Sequence, residues 1–336
     1  MKKLKRIFAV FFCLLLAAGI LGGCGKAASS SAPAPSALQS GNKPLKIVTT
    51  IFPEYDWVRE ILGDKADHAE VTMLLDNGVD LHSYQPTADD IIKISDCDLF
   101  LYVGGESDGW VEDALKEATN QNMKVINLLD VLGEQVKEEE VVEGMEAEEE
   151  ESEDEDEPEY DEHVWLSLKN AETLCSAITD ALEEIDPANK DAYATNAASY
   201  LEKLAALDGE YQTVVDNAAR KTVLFGDRFP FRYLVDDYGL SYYAAFAGCS
   251  AETEASFGTI SFLAGKVDEL RLPCVLTIEG AQHKVAETIV QNTAEKNQSI
   301  LTLDSMQSTT STDVANGTTY LSVMESNLDV LKQALN

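Results

Sequence analysis

The stretch NKDAYATNAASYLEKLAALDGEYQTVVDNAA, residues 189–219, decides the fold. It contains no proline and a single glycine, Gly209. Its apolar residues recur at helical spacing: Tyr193, Ala197, Tyr200, Leu201, Leu204, Leu207, Tyr211 and Val215. At ~1.5 Å rise per residue, a helix over this stretch would be about 45 Å long, which is the length of a whole domain. The pattern therefore predicts one long, rigid helix that joins two halves of the chain.

Short apolar runs alternate with longer helical patterns on both sides of this stretch. Before it, the patterns predict strands at 45–51, 69–75, 98–103 and 124–128, with helices at 53–62, 87–95 and 110–122. After it, they predict strands at 222–225, 241–246, 274–278 and 299–303, with helices at 231–238, 257–270, 281–295 and 320–335. This alternation is typical of parallel sheets. We therefore predict an α/β fold of two similar lobes, each with a mainly parallel sheet flanked by helices.

The N-terminus has the pattern of a secreted, lipid-anchored protein. Basic residues precede an apolar run over 7–21, which suits a signal peptide but is short for a membrane span. Leu21-Gly22-Gly23-Cys24 is similar to a bacterial lipobox, whose cysteine is lipidated. We predict a signal peptide over 1–23, lipidation at Cys24 and a flexible tether over 24–44. An ordinary cleaved signal with a chance cysteine is the alternative.

The remaining domain boundaries follow from these patterns. We predict an N-terminal lobe over 45–186, a connecting helix over 187–220 and a C-terminal lobe over 221–336. The protein would be extracytoplasmic and would contact the membrane through its lipid anchor only.

The charge of the chain selects against one class of partner. It has 60 acidic and 25 basic residues and a formal net charge of −35, which argues against nucleic acid and favours cations. Much of the excess lies in residues 134–162. Because such a block repels itself, we predict a mobile acidic loop within the N-terminal lobe. Its role is open between a weak collector of cations and a solvated spacer.

Two of the four histidines lie in loops crowded with carboxylates. His82 is in Asp80-Leu81-His82-Ser83-Tyr84-Gln85-Pro86-Thr87, and His163 is in Asp161-Glu162-His163-Val164-Trp165. Neutral imidazoles beside hard oxygens suit a shared divalent cation. His68 is predicted to be exposed.

The cysteines show no close-spaced metal motif. Cys97 and Cys274 begin apolar runs and are predicted to be buried free thiols. The disulfide state of Cys97, Cys175, Cys249 and Cys274 is left open.

The loop around His82 carries a family resemblance. Gly78-Val79-Asp80-Leu81-His82-Ser83-Tyr84-Gln85-Pro86-Thr87 resembles the Asp-Pro-His-x-Tyr-x-Pro-Thr loop of zinc- and manganese-binding lipoproteins of bacterial ABC importers, with Leu81 where proline is usual. The similarity extends to residues 162–167, 231–234, 238–240, 303–305 and 320–324. The resemblance implies capture of a divalent transition metal in the cleft between the lobes and its delivery to an ABC permease that works with a separate ATPase. The affinity order of divalent metals at a mixed site favours Zn²⁺, with Mn²⁺ as the alternative, and we predict a monomer.

The resemblance also implies four metal ligands, two from each lobe. His82 and His163 match by motif position, and Asp304 matches the carboxylate that follows the last strand. The third position holds Arg228, whose guanidinium has no lone pair to donate, so its neighbour Asp227 is predicted to replace it. Glu279 and His283 are further candidates, as ligands or as groups around them. The alternatives are a turn-capping role for Asp304 and a structural contact between Asp227 and Arg228.

Other function classes have less support in the sequence. The chain has no His-Glu-x-x-His and no Gly-rich phosphate loop, and a closed metal shell leaves no position for a reacting water. We therefore predict that the protein is not an enzyme. A surface adhesin or interaction lipoprotein, with a function in cell adhesion, is the remaining alternative.

Overall fold

A computed structural model describes residues 43–146, 159–250, 254–280 and 282–336. The predicted signal peptide, Cys24, most of the tether and residues 147–158 of the acidic segment lie outside these ranges. From Pro44 to Asn336 the chain forms one compact unit. The predicted domain boundaries stay predictions.

Two parallel four-stranded sheets with the same strand order organise this unit. The first contains β1 (Leu45–Thr49), β2 (Ala69–Met73), β3 (Leu99–Tyr102) and β4 (Lys124–Asn127), in the order β2-β1-β3-β4. The second contains β5 (Thr222–Arg228), β6 (Ser241–Phe246), β7 (Cys274–Thr277) and β8 (Ser299–Thr302), in the order β6-β5-β7-β8. The predicted fold of two similar α/β lobes is confirmed.

Helices flank both sheets. In the first half these are α1 (Phe52–Leu62), α2 (Ala88–Ser95), α3 (Val111–Lys116), α4 (Leu128–Leu132) and α5 (Leu168–Ile185). The second half contains α6 (Lys190–Asn217), α7 (Arg232–Tyr238), α8 (Phe257–Leu270), α9 (Lys284–Asn292), α10 (Ser311–Ala315) and α11 (Tyr320–Ala334). None of the described helices has both the length and the apolar character that crossing a bilayer requires.

Two predicted helices are shorter than expected. The prediction for α3 ran to residue 122, but the helix ends at Lys116 because the amides of Thr119 and Asn120 donate to the carbonyl of Ser95 and draw the chain away. Helix α9 spans nine residues rather than fifteen, and it ends where the Thr293 hydroxyl bonds to the carbonyl of Val290.

The long helix is present as α6, with the predicted buried face. Its buried residues are Tyr193, Ala197, Tyr200, Leu204, Leu207, Tyr211 and Val215, and Leu201 is partly buried. Helix α6 packs along α5 and also contacts α1 and α11. One hydrophobic cluster includes residues of both sheets and of helices α5 and α6. Helix α6 is therefore part of the shared core, which makes it stiffer than a free connector.

The described parts of the acidic segment are held against the second lobe, which corrects the prediction of a mobile loop for them. The amide of Lys137 donates to the Tyr233 hydroxyl at 3.0 Å, and the amide of Glu146 donates to the carbonyl of Ala245 at 2.9 Å. Met145, the residue before Glu146, is buried. Apolar residues and backbone hydrogen bonds thus anchor a segment whose charge alone predicted mobility.

Smaller predictions on single residues also have outcomes. Cys97 and Cys274 are buried free thiols and His68 is exposed, as predicted. Cys175 and Cys249 are free as well, so none of the four described cysteines forms a disulfide.

A buried carboxyl at α1 makes the stability depend on pH. Glu54 is fully buried, and its Oε2 accepts the amide of Thr50 at 2.8 Å. Burial, with Asp108 nearby, raises the pKa of Glu54 from 4.5 to about 8. The folded protein keeps the Glu54 proton at pH values where the unfolded chain has lost it. The contribution of protonated Glu54 to the free energy of unfolding is therefore full below pH 4.5 and is lost as the pH rises through 8.

We expect Glu54 alone to lower the free energy of unfolding by up to about 1.4 kcal/mol per pH unit within that window, as measured by urea unfolding. Glu54→Gln should remove this contribution to the slope and leave the part that comes from buried Asp56 and Asp108, because burial raises their pKa values to about 7. The exposed control Glu112→Gln should retain the full slope, and an unchanged slope in Glu54→Gln would contradict the assignment.

Candidate metal centre

His82 is positioned by a short turn that follows the first lobe's strand β2. Leu81–Ser83 forms a 3₁₀ turn, and the Oδ1 of Asp80 accepts the backbone amide of His82 at 3.0 Å. Leu81, where the family has proline, is buried and anchors the turn in the core. The imidazole of His82 is 12% exposed.

His163 lies at the start of a second buried turn. Its backbone amide donates to the Oδ1 of Asp161 at 2.8 Å, and its side chain is fully buried. The following residues, Val164–Leu166, form a 3₁₀ turn whose side chains are all buried. Ser167 then caps α5 by accepting the amide of Asn170. The acidic segment therefore ends on a rigid turn, which fixes the position of the imidazole.

The two imidazoles face each other through the same ring nitrogen. The Nε2 atoms of His82 and His163 are 3.1 Å apart. Two nitrogens bound at about 2.05 Å to a tetrahedral zinc ion lie about 3.3 Å apart, so the observed separation fits a shared ion. The structure thus brings together the two histidines that the sequence singled out.

The opposite ring nitrogens are held in the way that metal-bound imidazoles usually are. The Nδ1 of His163 lies 2.9 Å from the Oδ1 of Asp161. The Nδ1 of His82 lies 2.8 Å from the Ser107 hydroxyl and 3.5 Å from the Oε2 of Glu162, an oxygen that has no hydrogen bond. Such partners orient the ring and leave Nε2 free to bind a metal.

Electrostatics keeps His82 neutral. Burial and the neighbouring His163 lower the pKa of His82 to about 3. Burial also lowers the pKa of His163, but the contact with Asp161 more than offsets it and raises the pKa overall. A neutral imidazole retains the lone pair that a metal ligand needs.

Arg228 is engaged elsewhere, which agrees with its exclusion as a ligand. It ends β5 after a register shift between Phe225 and Arg228, and its guanidinium bonds to the Oδ2 of Asp80 at 2.6 Å. The Oδ1 of Asp227 accepts the backbone amide of Arg228 at 2.9 Å, and burial raises the pKa of Asp227. Arg228 therefore links β5 to the turn that carries His82.

Asp304 and Glu279 form a second acidic group in the C-terminal lobe. Burial, and then the charge of Glu279, raise the pKa of Asp304 to about 6. The Oδ1 of Asp304 accepts the amide of Met306 at 2.7 Å. Glu279 accepts the amide and hydroxyl of Ser305 at 2.7 and 2.8 Å, and it also accepts the amide of Gln307 at 3.0 Å. Glu279 thereby holds the loop after β8.

His283, the other candidate from this lobe, is half-buried. Its Nδ1 is buried without a hydrogen bond to any described residue.

The histidine pair has a third neighbour that sequence reasoning missed. Among the described residues, one group of three potential metal ligands is found, formed by His82, His163 and Cys249, whose ligand atoms all lie within 4.8 Å of one another. Asp227, Asp304, Glu279 and His283 are not in that group, so their roles stay predictions. Cys249 was missed because only the fold brings it near the histidines.

Ser107 is another residue at the site that was missed, although it lies in a recognisable pattern. Residues Gly105 to Gly109 fit Gly-x-Ser-x-Gly, a pattern also found in serine hydrolases. Here the hydroxyl meets the Nδ1 of His82, and the Nε2 of His82 faces a second imidazole instead of an orienting carboxylate. This arrangement orients His82 and differs from a hydrolase triad.

Comparisons with known proteins show that the chain is similar to zinc-uptake proteins. The family described as "ZnuA: Zinc-uptake complex component A periplasmic" matches residues 47–334. "Zinc-binding lipoprotein AdcA" of Streptococcus pneumoniae serotype 4 is 33% identical over 290 residues, 86% of this chain but only 55% of AdcA, so the chain spans about half of that relative. "High-affinity zinc uptake system protein ZnuA" of Bacillus subtilis is 32% identical over 337 residues, 99% of this chain and 98% of that protein.

A solved structure shows the same fold. The Zn(II)-bound ZnuA-like domain of Streptococcus pneumoniae AdcA superposes with a TM-score of 0.67 at 30% identity, covering 87% of this chain and 99% of that domain. Together with the match over residues 47–334, these findings confirm the resemblance of the His82 loop. The chain belongs to the ZnuA family of zinc-uptake components.

Proposed function

We propose that this protein captures Zn²⁺ outside the cytoplasm and delivers it to an ABC permease driven by a separate ATPase. The observation that carries the proposal is the pair of Nε2 atoms 3.1 Å apart, with both Nδ1 atoms held by other side chains. Membership of the ZnuA family supports the zinc-uptake role. Zinc is favoured over manganese because both named relatives are zinc proteins.

In this proposal His82 and His163 are the anchoring ligands. The family pattern implies a carboxylate from the C-terminal lobe, Asp304, and Asp227 is the sequence-based candidate for the position that Arg228 occupies. Burial of Asp304 and its raised pKa support it as a group that a cation would stabilise. The hydrogen bonds of Glu279 to the loop after β8 support a role in positioning Asp304.

The remaining parts of the proposal concern the surroundings of the protein. Lipidation at Cys24 would tether it to the outer face of the membrane, and the monomer would dock on the permease. The family relatives act in metal binding and transport, which supports a function without catalysis.

The proposal is tested by competitive metal titration of the full chain. We expect one tightly bound Zn²⁺ per chain, a much weaker affinity for Mn²⁺ and a raised melting temperature in the presence of zinc. A protein that purifies without zinc and shows no thermal shift with zinc would refute the proposal.

The carboxylate behind His163 gives a finer test. Asp161→Asn keeps the shape of the side chain but removes the charge that holds the Nδ1 proton. We expect the zinc affinity to fall by about 10- to 100-fold while the melting temperature of the metal-free protein changes little. The control Asp130→Asn, on the exposed face of α4, should leave the zinc affinity unchanged. Equal affinities in the two variants would show that Asp161 does not position the imidazole.

A further inference from the structure

An arginine occupies the third ligand position that the family resemblance implies. Arg228 stands there, and its guanidinium bonds to Asp80 at 2.6 Å. An arginine cannot bind a metal ion because its guanidinium stays protonated. If the protein holds zinc as proposed above, another side chain must complete the shell.

Cys249 is placed to do this. It lies in the loop that follows β6, on the lobe opposite His82, and its backbone amide donates to the Oε1 of Glu139 at 3.0 Å. The preceding residue, Gly248, lies directly against His163, since a Cβ built on it would be 3.0 Å from the Cε1 of that ring. A larger residue at position 248 would push this loop away from the imidazole. The loop thus brings the thiol close to the histidine pair.

The distances fit a three-ligand site with little adjustment. The Sγ of Cys249 and one ring nitrogen of each histidine lie within 4.8 Å of one another. In a tetrahedral zinc site with Zn–S of about 2.3 Å and Zn–N of about 2.05 Å, the S to N separation is about 3.5 Å. The limit of 4.8 Å exceeds this separation by about 1.3 Å, so a small movement of Cys249 on binding would suit a shared ion.

We propose that Cys249 is the third zinc ligand and replaces the family ligand whose position Arg228 occupies. On binding, the S–H bond breaks, the S–Zn bond forms and the proton leaves to solvent. The ion then has two nitrogen ligands and one sulfur ligand, and a carboxylate such as Asp304 or a water fills the fourth position. Asp227 is not needed as a ligand in this arrangement.

A thiolate in the shell also determines which metals the site accepts. Thiolates prefer zinc and softer ions, whereas manganese prefers carboxylate and water oxygens. This inference rests on the proposed function and refines it, because it gives the residue responsible for discrimination against manganese.

The first test uses Co²⁺ as a spectroscopic probe of the full chain. We expect the cobalt-loaded protein to show a thiolate-to-cobalt charge-transfer band in the near ultraviolet. Cys249→Ser should lose the band, and its zinc affinity should fall by more than about 100-fold, since changes outside the ligand set already cost 10- to 100-fold. Cys274→Ala, at a buried free thiol in β7, is the matched control and should keep both the band and the affinity.

A second variant tests whether misfolding accounts for the loss of zinc binding. Cys249→His is expected to bind zinc again while lacking the charge-transfer band, which separates the loss of a ligand from the loss of the fold. Wild-type protein that binds zinc through His163 without a band, together with unchanged affinity in Cys249→Ser, would overturn this inference and leave the proposed function intact. Wild-type protein that binds no zinc would overturn both.

Discussion

His163→Ala is expected to lower the affinity for zinc by more than about 1000-fold. The substitution removes one of two imidazoles whose Nε2 atoms are 3.1 Å apart. Loss of a partner that only orients a ligand already costs about 10- to 100-fold, and loss of the ligand itself costs more. It also leaves the buried carboxylate of Asp161 without its imidazole partner. Competition with a chromophoric chelator measures the change.

Two controls separate this effect from a general loss of histidine. His68→Ala, at an exposed position, should retain full affinity. His82→Ala should reproduce the loss, because the second Nε2 is removed instead of the first. A His163→Ala protein that binds zinc within about tenfold of the wild type would contradict the assignment of the pair as ligands.

Trp165→Ala is expected to lower the free energy of unfolding by about 3–5 kcal/mol. Trp165 is 1% exposed, and its indole N–H donates to the carbonyl of Ser305 at 2.9 Å. Its own carbonyl accepts the hydroxyl of Tyr320 at 2.7 Å. The indole thus links the turn that carries His163 to the loop after β8. Its removal opens a cavity at the junction, and urea unfolding measures the loss.

A second substitution at the same position separates packing from hydrogen bonding. Trp165→Phe keeps most of the apolar volume but leaves the carbonyl of Ser305 unsatisfied, at a cost of about 1–3 kcal/mol. Phe257→Ala, at a side chain that is 81% exposed, should change the stability by less than about 0.5 kcal/mol. A Trp165→Ala variant as stable as this control would refute the role of the indole.

Much of the fold could be predicted because hydrophobic periodicity reports directly on sheets and on long helices. The buried face of α6 was predicted residue by residue, since its tyrosines and leucines keep a helical spacing over 28 residues. Helix α5 was missed, although Ser167 caps its start and Leu168, Leu174, Ile178 and Leu182 mark its buried face.

The candidate metal site also contains residues that the sequence could predict and residues that it could not. His82 and His163 could be predicted because each lies in a local motif, and their loops fold as short turns. Cys249 could not, because it lies 86 residues after His163 in an unremarkable loop and approaches the imidazoles only through the packing of the two lobes. The anchored part of the acidic segment was missed for a related reason: its partners, such as Tyr233, are distant in the sequence.

The contact between the first and last helices has a consequence for how the chain matures. The Oδ2 of Asp56 in α1 accepts the amide of Tyr320 at the start of α11, across 264 residues of sequence. The ribosome releases α1 long before α11 exists, so a nascent chain lacks this contact until synthesis is almost complete. Pairings over such a span are slow to form, and the first lobe stays incompletely packed until its C-terminal partner arrives. Delayed closure of this kind would suit the proposed export of the chain, because a polypeptide crosses a translocation pore before it folds.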